Sequence, residues 1–164
     1  MHVSRRFTLL VDLGLLIGTT ALCAIQAAAP QQAAGSAPRS EAADKADFES
    51  VCGACHSTTL ASELRTETQW KDTIERMVAA GANGTDDQLE AVMRVLLRTV
   101  TKVNVNNATA EELPLPLGIS DATAEAVVKY RGEHGNFKTL DDLKKVPGIS
   151  AEKTDARKNR ILFN

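Results

Sequence analysis

The chain has 164 residues, 43% of them hydrophobic and only 4% aromatic, with a formal net charge of −2. That length holds one ordinary domain or two small ones, and the composition is globular but poor in large core-filling side chains. The near-neutral total singles out no class of partner, but its distribution is uneven. Residues 37–101 carry seven basic and eleven acidic side chains, whereas 143–164 carry six basic and two acidic, a local net of +4.

Residues 1–29 read as an export signal. Arg5 and Arg6 form a positive start, Leu9 to Cys23 is mostly apolar apart from Asp12, and Ala27, Ala28 and Ala29 are small enough for a cleavage site. Cleavage is the expectation, after Ala29 or after Gly35; retention as an N-terminal anchor is the alternative, and only then would the protein meet a membrane. Cys23 follows Leu22, too bulky for a lipoprotein signal, so no lipidation is expected. Residues 30–43, rich in Ala, Gln, Pro, Gly and Ser, read as a flexible linker.

Residues 44–101 read as helical. Thr66 and Gln69 make a capping box ahead of Trp70, Ile74, Met77 and Val78, which share a helical spacing; Thr85 and Gln88 make a second ahead of Leu89, Val92, Met93, Leu96, Leu97 and Val100. Fewer than sixty residues with one Trp form a thin core, so a cofactor is expected to supply apolar mass. The motif that names one is Cys52-Gly53-Ala54-Cys55-His56, the C-x-x-C-H attachment signature of c-type haem. Two thiols at this spacing reach the two vinyl groups, and the adjacent imidazole reaches the iron. No βαβ setting supports a thioredoxin-like dithiol, and no further ligands support a zinc site. Met77 and Met93 both lie on apolar helix faces and both remain candidates for the opposite iron ligand.

Residues 103–164 repeat with an offset of 30. Thr109-Ala110-Glu111-Glu112-Leu113 recurs as Thr139-Leu140-Asp141-Asp142-Leu143, and Gly118-Ile119-Ser120 recurs as Gly148-Ile149-Ser150. Each unit reads as a short capped helix, a glycine turn, and a second helix capped by Ser120 or Ser150, which makes an αα-hairpin. The expected fold is therefore all-α, a small haem domain followed by a tandem helix-hairpin-helix domain.

Two resemblances sharpen this. Residues 48–97 resemble a group of small bacterial c-type cytochromes with C-x-x-C-H followed by W-x-x-x-x-x-R-M; Trp70 through Arg76-Met77 matches that run, and the resemblance implies Met77 as the second iron ligand. Val95 stands where that group commonly has Tyr. Nearly all of 103–164, including Val103-Asn104-Val105-Asn106-Asn107-Ala108, resembles the tandem hairpin domain of the competence protein ComEA. That resemblance implies non-specific binding of double-stranded DNA through its backbone, by Gly118, Ile119, Ser120, Gly148, Ile149, Ser150, Lys153, Arg157 and Lys158, with Arg160 adding charge. Both turns here end in Ser where the family has Gly, and the first carries Leu117 and Thr123 where Pro and Lys are common. The second hairpin is thus expected to dominate.

Taken together these residues point to an exported, periplasmic monohaem c-type cytochrome that transfers electrons to a redox partner protein and is not an enzyme. The alternatives are a DNA-uptake or DNA-tethering protein with a redox-sensing or structural haem, and a cytochrome docked to an oxidoreductase through its hairpins.

Overall fold

The computed structural model describes residues 39–164; the export signal and most of the linker lie outside the described residues. Helix α1 (Glu41–Cys52) starts where the Ser40 hydroxyl accepts from the Ala43 amide. A 3₁₀ turn (Thr58–Ser62) and a two-residue strand β1 (Arg65–Thr66) lead into α2 (Glu67–Ala79) and α3 (Asp86–Val100). Both expected capping boxes are present: Thr66 with Gln69, and Thr85 with Gln88. Strand β2 (Thr101–Asn104) follows α3 without a break.

Helices α4 (Pro114–Leu117), α5 (Asp121–His134), α6 (Leu140–Leu143) and α7 (Ala151–Ala156) form the repeat, closed by a 3₁₀ turn (Lys158–Arg160) and strand β3 (Ile161–Leu162). Ser120 and Ser150 cap α5 and α7 as expected. The two units are not equal. Thr139 caps α6, but Thr109 to Leu113 forms turns, closed by the Thr109 amide donating to the Glu112 carboxylate at 2.7 Å. In this unit the helix begins one turn later, at Pro114, whose fixed φ and missing N–H suit a first helical position.

The fold is mostly helical rather than all-α. Strands β1, β2 and β3 form a parallel sheet in that order, with Arg65 beside Thr101 and Val103 beside Ile161. Segments of two to four residues are too short to show a strand period in sequence.

Two apolar clusters lie within one compact unit. The larger is built by the repeat around Val105, Leu113, Val127, Phe137, Leu143 and Val146, each at most 2% exposed. The smaller contains only Val51, Trp70, Val92 and Leu96 as buried members, so the N-terminal half depends on polar ties as well. Asp44, fully buried on α1, takes bonds from Arg94 and Arg98 of α3 at 2.8–3.2 Å. Arg160 then joins the halves: its guanidinium donates to the carbonyls of Leu97, Arg98 and Thr101 at 2.7–3.0 Å, capping the end of α3. It is buried and does not contribute to a DNA-facing field, contrary to the expectation from the basic tail. Asn106 closes the repeat by accepting from the Phe137 amide and donating to the carbonyls of Phe137 and Phe163.

Candidate functional site

The C-x-x-C-H residues straddle the end of α1. Cys52 is its last residue and half-buried against the smaller core; Cys55 and His56 stand exposed in the turn beyond it. Burial pushes the Cys52 thiol up from its ordinary pKa, the opposite of what an attacking redox thiolate needs. The imidazole of His56 is oriented. Its Nδ1 lies 3.1 Å from the Ser57 carbonyl, which can only accept, so this contact uses a proton on Nδ1, and in the neutral ring the lone pair is then on Nε2.

Close to this turn in sequence, the apolar face of α2 runs out of cover. Trp70 is buried and Ile74 half-buried, but Met77 and Val78 are 44% and 42% exposed, as is Leu60 of the 3₁₀ turn at 68%. These are the large apolar side chains exposed among the described residues. Met93, by contrast, packs against the Trp70 cluster. The two thiols and the imidazole are the donors a covalent haem would use, and Met77 is an accessible thioether on the uncovered side of α2.

The hairpin residues divide more sharply than the sequence implies. Both turns require glycine: Gly118 has φ +66° and Gly148 φ +87°, and each is crowded by a side chain of the other hairpin. A Cβ on Gly118 would lie 2.7 Å from Arg157 Nη2, and one on Gly148 would lie 2.8 Å from Thr123 Oγ1. Thr123 also bonds the Ser120 hydroxyl at 2.9 Å. The two turns are thereby stitched together. Gly118 and Ile119 are half-buried and Ser120 exposed, while Gly148 is exposed and Ile149 and Ser150 are half-buried.

The basic tail separates into three roles. Lys144 and Lys145 are held by carboxylates, with Asp155 and Asp142 at 2.7 and 2.8 Å, and Arg160 is the clamp on α3. Lys153, Arg157 and Lys158 form no ion pair among the described residues, and Lys153 and Lys158 are exposed. The repeat singles out Lys153, Arg157 and Lys158; what it cannot show is the removal of Arg160, whose acceptors lie 59 to 63 residues earlier in the chain.

Comparison with known proteins bears on this half. A family model described as the helix-hairpin-helix motif matches residues 99–161. An uncharacterized protein of Haemophilus influenzae is 43% identical over 63 residues, which are 38% of this chain and 56% of that protein. ComE operon protein 1 of Bacillus subtilis is 42% identical over 59 residues, 36% of this chain and 29% of that protein. Endonuclease/exonuclease/phosphatase family domain-containing protein 1 of Rattus norvegicus is 37% identical over 60 residues, 37% of this chain and 10% of that protein. The chain thus spans from about a tenth to just over half of the length of these relatives. No solved structure matches it. The C-terminal part of the chain, residues 99–161, is a helix-hairpin-helix domain.

Proposed function

We propose that this chain is a DNA-tethering protein, not an enzyme, whose hairpin domain holds the backbone of double-stranded DNA without reading its sequence. The observation that carries this is the set of three unpaired cations, Lys153, Arg157 and Lys158, around the two stitched glycine turns. The likeness to ComE operon protein 1 and the resemblance of the repeat to ComEA support the same reading. Phosphate contacts of this kind fix position and supply affinity, but carry no sequence information. Binding should therefore be weak, indifferent to sequence and steeply salt-dependent. Fluorescence anisotropy with two unrelated short duplexes at rising salt tests it. Equal binding that disappears in Lys153→Glu/Lys158→Glu is expected; absence of binding at low salt leaves the hairpins as a protein-docking module.

On the N-terminal half, His56 and the uncovered apolar face around Met77 favour one covalent haem c, which Cys52 and Cys55 would attach and His56 and Met77 would ligate. Such a group supplies a one-electron couple, so this half either passes electrons to a redox partner protein or senses redox state in the periplasm. Here the chain's own residues do three things. Ser57 orients the imidazole, Cys52 at the end of α1 and Cys55 in the turn beyond it present the sulfurs, and the uncovered apolar side of α2 would shield part of the group from water. Haem that stays with the chain through denaturing electrophoresis, and is lost from Cys52→Ala/Cys55→Ala, is the expected result. Haem released from the unmutated chain would refute the attachment.

A further inference from the structure

The first hairpin has no cation of its own at the start of its second helix: Thr123 sits where the second hairpin has Lys153. The fold brings one from elsewhere. Arg157, the C-cap residue of α7, lies with its guanidinium against Gly118, so that a Cβ there would be 2.9 Å from Cζ as well as 2.7 Å from Nη2. Its Nε is sealed from solvent and has no acceptor, an uncommon state for a buried donor. Arg157 also makes no ion pair among the described residues, although it lines a groove of about 1010 Å³ that contains three carboxylates. Two of those are engaged, Glu41 by Arg98 at 3.7 Å and Glu49 by Lys45 at 3.6 Å; Asp121 is exposed. The uncompensated charge is felt nearby, since Arg160 is pulled below the usual guanidinium range first by burial and then by Arg157. Beside the guanidinium, α5 opens with the amides of Asp121 and Ala122, which lie ahead of the first amide its own turn or cap can satisfy.

We propose that Arg157, carried by the second hairpin, is the phosphate ligand of the first. A backbone phosphate of duplex DNA seats over Gly118-Ile119-Ser120, and one of its oxygens accepts from Arg157. This rests on the DNA-holding reading and deepens it. Both hairpins then touch the duplex, the first by a borrowed cation, and Gly118 is needed twice, for its φ and to leave room for that cation.

The test is hydrogen exchange of the whole chain with and without a short random-sequence duplex, alongside anisotropy over a salt series. The unmutated chain should gain protection at 118–123 and at 148–154. Arg157→Gln should lose the first patch and keep the second, weaken binding roughly fivefold, and reduce the slope of log affinity against log salt by about 0.9, the value of one phosphate contact. Arg157→Lys should recover part of the affinity. Asp121→Asn, which leaves Arg157 in place, should tighten binding about threefold at low salt and not at high salt, and so reads the same site should Arg157→Gln fail to fold. Inorganic phosphate at matched ionic strength should not protect 118–123. Protection confined to 148–154, or unchanged in Arg157→Gln, or produced by inorganic phosphate alone, overturns the proposal while the DNA reading stands. No binding by the unmutated chain overturns both.

Discussion

Replacing Arg160 by methionine asks how firmly the two halves hold each other. Arg160 is 9% exposed, and its guanidinium donates from Nε to Thr101 and from its two terminal nitrogens to Arg98 and Leu97, at 3.0, 2.7 and 2.7 Å. Methionine keeps most of the aliphatic stem, so the loss falls on three charge-assisted bonds and the carbonyls left behind. One such bond contributes about 1.5–3 kcal/mol, but bonds that share a guanidinium do not add in full. Desolvation of the charge, the same burial that lowers the Arg160 pKa, offsets a further part. About 3–5 kcal/mol should remain, within the range for breaking a buried charged network. With a urea m-value of about 2 kcal/mol per molar, the unfolding midpoint falls by about 2 M. Trp70 is the single tryptophan and reports the N-terminal half, while far-UV ellipticity reports both. The two traces should coincide in the parent and separate in Arg160→Met, fluorescence changing first. A midpoint shift below about 0.5 M, or traces that still coincide, would refute the idea that this side chain couples the halves.

Three further outcomes are expected. Met77→Ala should abolish the weak charge-transfer band of a Met–iron bond in the oxidised protein and lower the potential, whereas Met93→Ala, on a half-buried side chain packed against the Trp70 cluster, should keep the band and cost about 1–2 kcal/mol of stability. Asp44 is held below its ordinary pKa of 3.8, chiefly by its bonds to Arg94 and against the cost of burial. A carboxylate lowered in the folded state stabilises above about pH 4 and loses that contribution as pH falls through its folded value, so Trp70 fluorescence should report acid unfolding there and Asp44→Asn should flatten the profile. Thr123→Lys restores the residue common in the resembled family, but the site packs on Gly148; it should cost about 1–3 kcal/mol by thermal melt and leave DNA affinity no higher. A clear gain in affinity would show that the first turn has room for its own lysine.

What the sequence declared and what it withheld divide along contact distance. The caps were legible because each is closed by side chains three residues apart, as with Thr66 and Gln69 or Ser120 and the amide of Thr123. The expected helix over Thr109–Leu113 was displaced by Pro114, where two prolines in four residues outweigh a Thr-x-x-Glu pattern that forms only its returning half. Ties that span fifty or more positions left no local trace: Asp44 with Arg94 and Arg98, or Arg160 with the end of α3. Nor did the sheet, whose strands are shorter than any period could reveal.

The basic tail was sorted only in part, because the repeat singles out Lys153, Arg157 and Lys158 whereas the partners of Arg160 lie 59 to 63 residues back. Six cations within 22 residues suggest a single surface, yet the fold gives two to carboxylates and one to the carbonyls of α3, leaving three beside the turns. That sorting joins the two sites mechanically. Cys52 ends α1, Asp44 of α1 is bound to α3, Arg160 caps α3, and Arg157, three residues earlier, rests on the first turn. The ties of Asp44 and of Arg160 to α3 are buried or half-buried polar contacts, and β2 runs through both halves without a loop between them. A tethered pair of independent modules would need none of these links. The two halves therefore share a sheet and a buried polar tie, and shared contacts of this kind are what would let the state of one half be felt by the other.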